Sequence, residues 1–177
     1  MTAYAVLLRG VNVGGHGKIP MAELREVVAG LGCSDVATYV QSGNVVGRSD
    51  DRPAELAGKV SQAIRDRWGL DVGTVVRTHE QLQQVVRDNP FGEPDHGSRL
   101  HVAFLLGEPA RDALEAFDQS GFAPDRFALA DREIYLSLPD GIGRSKLAAA
   151  LTERRAGTTM TVRNWNTVRK LLEMTAS

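Results

Sequence analysis

Apolar and polar positions alternate along this chain in runs that repeat one order of elements twice. Tyr4–Leu8 is an unbroken apolar run closed by Arg9-Gly10, which predicts a central strand. A glycine-rich stretch follows. Pro20 then opens a segment with Met21, Leu24, Val27, Val28 and Leu31 on one helical face, punctuated by Gly30 and Gly32. Val36–Val40 and Asn44–Arg48 are β-rich, and Ser42-Gly43 between them predicts a two-residue hairpin turn. Asp51-Arg52-Pro53 starts a second helix with Leu56, Val60, Ile64 and Trp68 on one stripe. Gly69 ends it, and Val72–Val76 is a fourth strand. The order is βαββαβ.

The same order returns further on. Thr78 and Gln81 form a capping-box pattern for a short helix through Arg87. Residues 89–99, with Pro90, Gly92, Pro94 and Gly97, read as a linker between a unit at 1–88 and another at 100–177. Leu100–Leu106 is a strand, Pro109–Phe117 a helix, and Arg126–Ala130 with Glu133–Leu138 a hairpin. Arg144–Arg155 reads as one helix stopped at Gly157. Thr158–Val162 is a last strand and Asn164–Met174 a closing helix carrying Trp165, Val168, Leu171 and Leu172. The fold class expected is α+β: two βαββαβ units in tandem, each with its helices on one sheet face, plus a C-terminal helix.

Composition removes several function classes. Lys and Arg total 21 against 22 Asp and Glu in 177 residues, for a formal charge of −1, so nucleic acid is not attracted by net charge. The single cysteine, Cys33, excludes an intrachain disulfide, and no basic residue or His adjoins it to stabilise a thiolate, so a buried structural thiol is expected. The first apolar run is far shorter than a signal segment or membrane span, so a cytoplasmic protein with no membrane association is expected.

Candidate chemistry emerges from topology. In a right-handed βαββαβ unit, the loop after the first strand and the hairpin between the second and third lie at one end of the sheet. In the first unit that end gathers Arg9, Asn12, Gly14, Gly15, His16 and Lys18 with Gln41, Ser42 and Asn44. Residues 1–20 contain no acidic side chain. Backbone amides of a glycine-rich loop leading into a helix suit an anion, and Arg9 and Lys18 add charge. In the second unit Arg144 and Lys146 are expected to approach Arg163 and Asn164 at the opposite end. Residues 144–170 hold seven Lys or Arg and one acid, Glu153.

Competing motifs fail. Gly10 and Gly15 have P-loop spacing, but His16 stands where Lys is required, and no G-x-G-x-x-G occurs. Ser42 lies in a hairpin rather than a nucleophile elbow. His16, His79, His96 and His101 show no metal-ligand spacing, so no metal site is assigned. Asn164 also suits helix capping, with Thr167 three residues on. Trp165 shares the apolar stripe of Val168 and Leu172.

Leu8-Arg9-Gly10-Val11-Asn12-Val13-Gly14-Gly15, with Lys18 to Met21, resembles the opening signature of the bacterial domain-of-unknown-function 1697 family. Thr38 to Val45 is similar to its second signature and Asn89-Pro90-Phe91 to its middle one. Gly143-Arg144-Ser145-Lys146 and Thr161 to Thr167 are similar to its C-terminal pair. The resemblance implies paired ferredoxin-like (α/β-plait) units and no established activity or cofactor. The leading expectation is a binder of a phosphate-bearing small molecule or short nucleic acid, held by Arg9, Asn12, Gly14, Gly15, Lys18, Gln41, Ser42, Asn44, Arg144, Lys146, Arg163 and Asn164. A small nucleotide is favoured over a single strand, because no strand resembles the R-G-F-like motif that stacks bases on sheet aromatics such as Tyr39 or Tyr135. The alternatives are a metal-independent enzyme acting on a phosphorylated or carboxylated molecule, with Ser42 or Tyr39 and His16 as base, and a protein-interaction module.

Overall fold

Apolar strands of this length must pair, and the computed structural model, which describes residues 1–15 and 17–176, shows two four-stranded antiparallel sheets. The first is ordered β2-β3-β1-β4, from β1 (Thr2–Leu8), β2 (Ser34–Tyr39), β3 (Asn44–Ser49) and β4 (Thr74–Thr78). The second is ordered β6-β7-β5-β8, from β5 (Leu100–Leu105), β6 (Arg126–Leu129), β7 (Glu133–Ser137) and β8 (Met160–Asn164). The two strand orders are the same.

Helices α1 (Met21–Ala29) and α2 (Pro53–Trp68) pack on the first sheet. Met21, Leu24 and Val28 of α1 and Leu56, Val60 and Ile64 of α2 meet Tyr4, Val6, Leu8, Val45 and Val76, the side chains on one strand face. Both ends of α2 follow from local chemistry. The Arg52 amide donates to Glu55 Oε2 at 3.0 Å, Pro53 occupies the first turn, and Gly69 closes the helix at φ 68°. Cys33 lies in this core, where burial pushes its thiol up from the ordinary value.

The second sheet carries shorter helices: α4 (Arg111–Glu115), α5 (Lys146–Ala150) and α6 (Glu153–Ala156). The single helix expected over 144–155 is divided. Leu151 leaves the helical region at ψ 70°, and the Thr152 hydroxyl accepts from the Arg155 amide at 3.2 Å, starting a new helix. Leu147 and Leu151 still reach the core with Ala103, Leu105, Leu136 and Leu138. The hairpin β2–β3 also differs from expectation. Tyr39 pairs with Asn44, so the turn is four residues, with Val40 at φ 52° and Gly43 at φ 83°.

Helices α3 (His79–Arg87) and α7 (Trp165–Thr175) complete the chain. The capping box expected at Thr78 is present: its amide donates to Gln81 Oε1 at 2.9 Å, and its hydroxyl accepts from the Gln81 amide at 3.1 Å. Two compact units result, one of Met1–Gln84 with Lys170–Ser177 and one of Val85–Arg169. Residues 89–99 fall within the second of these units. Trp165 Nε1 donates to Glu93 there at 2.9 Å.

Candidate functional site

The first-unit cluster is held together by one asparagine. Asn12 adopts φ 57°, a left-handed conformation that Asn tolerates better than most residues. Its Nδ2 donates to the Ile19 carbonyl at 2.9 Å and to the Gln41 carbonyl at 2.7 Å, while its Oδ1 accepts from the Ile19 amide at 2.8 Å. The loop after β1 is therefore stapled both to its own far end and to the hairpin turn. The Leu8 amide donates to Gly43 O at 2.9 Å and the Arg9 amide to Gly73 O at 2.9 Å.

Gly43 makes this approach possible. A Cβ there would stand 2.9 Å from Leu8 Cβ and 3.3 Å from Val11 Cβ, at a φ that L side chains avoid. Asn44 is wholly buried, and its Nδ2 donates to Tyr39 O at 3.0 Å and to Ser42 Oγ at 3.2 Å. Asn12 and Asn44 thus shape the turn with amides that sequence alone offered as ligand-orienting groups. Arg9, Gly14, Gly15, Lys18 and Gln41 are exposed around it. Gly14 and Gly15 have φ 61° and 78°. Pro20 precedes α1 without a side-chain cap on the helix amides. His16 lies outside the described residues.

Val40 adds a conformational signal. A β-branched residue at φ 52°, half exposed at 51%, is an outlier of the kind that clusters at functional sites.

In the second unit β7 and β8 both run antiparallel to β5 and end beside its start, with Ser137 opposite Leu100 and Asn164 opposite His101. Arg144 and Lys146 are exposed in the turn and first helical position after β7. Ser145 between them is buried, donates to Asp125 Oδ2 at 2.8 Å and caps the Ala148 amide at 2.9 Å. Asn164 Oδ1 accepts from the Thr167 amide at 2.9 Å and so caps α7.

Arg163 was expected beyond the last strand and instead lies inside β8, only 7% exposed. The Val-Arg-Asn run continues the β5–β8 ladder, with Arg163 opposite Val102 and Asn164 opposite His101. Its Nη1 donates to Thr161 Oγ1 at 2.5 Å and to Val162 O at 3.0 Å, and burial lowers its pKa to about 10. The matching position of β4 is Arg77, 8% exposed, whose Nη1 donates to Val76 O at 3.3 Å. Sequence reading passed over Arg77. The recurring signal is Val-Arg followed by a β-compatible polar residue, Val76-Arg77-Thr78 and Val162-Arg163-Asn164.

His101, on β5, has its Nδ1 buried with no hydrogen-bond partner among the described residues, and desolvation lowers its pKa. Among those residues no group of three His, Cys, Asp or Glu side chains gathers to hold a metal ion. No helix among them is long and apolar enough to cross a membrane.

Comparison with known proteins rests on this geometry. A family model described as "Protein of unknown function (DUF1697)" matches residues 1–135, which include the stapled loop and its hairpin. The chain belongs to that family. The match ends before Arg144, Lys146, Arg163 and Asn164. Among solved structures, the conserved bacterial protein SP0830 from Streptococcus pneumoniae superposes with a TM-score of 0.79 at 23% identity, over 98% of each chain. That likeness establishes the shared two-sheet α+β fold. No curated protein matches.

Proposed function

We infer that this member of the DUF1697 family binds a phosphate-bearing small ligand, a nucleotide in preference to a nucleic-acid strand, at the first-unit loop cluster. The observation that carries this reading is the Asn12 staple, which spends three hydrogen bonds to hold a loop whose outward parts are glycine and cation. Exposed Gly14 and Gly15 supply backbone amides to an oxyanion. Exposed Lys18 and Arg9 supply charge-assisted donors. The uncapped start of α1 adds a favourable dipole. Each unit is further read as a ferredoxin-like plait, and the pair as tandem copies; the shared strand order and the buried arginines at 77 and 163 support this.

A thermal-shift series with inorganic phosphate, AMP, ATP and a short oligonucleotide tests the reading, since a ligand selective for the folded state raises its melting temperature. The mononucleotides should stabilise the protein. Lys18→Ala should weaken their binding about three- to tenfold, with unliganded stability unchanged. If none of the four shifts the melting curve, the reading fails. An oligonucleotide preference whose log K falls with log salt by about 0.7 per phosphate contact would move the assignment to single strands.

A further inference from the structure

Asn89-Pro90-Phe91 takes no part in the first-unit cluster, yet it has a defined place in the second unit. Asn89 Oδ1 accepts from the Phe91 amide at 3.0 Å and its Nδ2 donates to Gly92 O at 2.8 Å, forming an Asx turn. The Arg126 guanidinium lies 4.9 Å from the Phe91 ring centroid, which fixes the ring from one side. Glu93 is held by Trp165 Nε1 at 2.9 Å and Arg169 Nη1 at 3.3 Å. The Leu138 amide donates to Arg99 O at 2.7 Å, tying the end of the segment to the strand after it.

A segment pinned at both ends in this way lines an open cleft of about 210 Å³ against the start of β5 and the end of β7. Its walls include the apolar surfaces of Phe91, Pro94, Leu100 and Pro139, and it contains Asp95 and Arg99. Among the described residues neither of these two charged side chains has a partner, and they are not paired with each other. The volume lies below the roughly 300–1,000 Å³ of pockets for larger ligands, so a single residue-sized molecule is the match. One unspent charge of each sign with an apolar wall selects a zwitterion carrying an apolar side group.

We propose that the Phe91–Arg99 cleft binds a free α-amino acid with an apolar side chain. Arg99 takes the carboxylate, Asp95 the ammonium, and Phe91, Pro94 and Pro139 the side group. Both charges are needed, which separates this ligand from a peptide terminus that carries one of them. Amino acids bear no phosphate, so the outcome here leaves the first-unit assignment standing or falling on its own test.

Titration calorimetry on the full chain with L-leucine and L-phenylalanine, beside N-acetyl-L-leucine and L-leucinamide, decides the matter. At least one free amino acid should bind at a single site, and the blocked compounds should bind about tenfold more weakly or worse. Arg99→Gln and Asp95→Asn, both at exposed positions, should each weaken the free amino acid by a similar factor while circular dichroism stays unchanged. Absence of binding at about 10 mM ligand, where even a millimolar site would fill, overturns the proposal. So does equal binding of N-acetyl-L-leucine, which would make this a carboxylate or peptide site, or binding indifferent to both substitutions.

Discussion

The two units share a strand order but use their polar residues differently at the ends of their sheets. In the first, Asn12 and Asn44 bond to backbone groups of neighbouring loops, and the cations Arg9 and Lys18 remain at the surface. In the second, Ser145 and Asn164 cap helices, and three further polar side chains are buried in the strands, Arg163 among them as the counterpart of Arg77 in the first unit. Tyr135 is 1% exposed and donates to Val85 O at 2.6 Å, Arg163 is enclosed in β8, and His101 buries a ring nitrogen. A common sheet topology therefore does not dictate a common site. Residues 9–20 give the first unit a long loop after its first strand, on which Asn12, Arg9 and Lys18 stand.

Substitutions that separate loop packing from interior bracing sharpen this contrast. The largest effect is expected at Gly43→Ala, where both the left-handed backbone and the approach to Leu8 resist a methyl group. Chemical denaturation should show a loss of about 2–4 kcal/mol. Gly15→Ala, at a similar φ but with nothing within 4 Å of its Cβ, should cost about 1 kcal/mol. Equal costs at the two positions would mean that backbone conformation alone, without packing, sets the requirement.

In the second unit Tyr135→Phe should cost about 1–2 kcal/mol, because it removes a buried donor from a carbonyl in the last turn of α3. Burial and nearby Glu133 and Asp88 already keep that phenol protonated well above its ordinary range, so the loss should be the same at pH 6 and pH 9. A negligible cost would remove interior bracing from the comparison.

The smallest effect is a pH slope from His101. Its folded pKa lies below the ordinary 6.5, so the unfolded chain binds the proton more readily. The associated stability is complete above about pH 6.5 and is lost as pH falls toward and through the lowered folded value. His101→Leu should flatten that part of the urea-midpoint profile and leave stability at pH 8 equal or higher, since it removes an unpartnered buried nitrogen. An unchanged slope in the variant would assign the acid sensitivity to other groups.

Much of this architecture was legible in the chain. Pro53 and Gly69 bracket α2, and Thr78 and Gln81 open α3. These features depend on backbone conformation and on bonds between near neighbours, which local residue identity sets. The meeting of the β1 loop with the β2–β3 hairpin was also readable, because handedness leaves that arrangement as the default.

What sequence could not resolve was how each polar side chain is spent. Asn12 looks like a ligand amide until its distant carbonyl partner, Gln41, is known. Arg163 looks like a loop cation until Val102 is seen opposite it. The break at Thr152 also escaped, because Leu147, Leu151 and the following residues fit one helical stripe nearly as well as two. Sequence by itself determined most of the elements and their order, since each arises largely from interactions within a few residues. Tertiary structure alone decided burial, and with it which charges face water, because burial is a property of segments brought together from far apart in the chain.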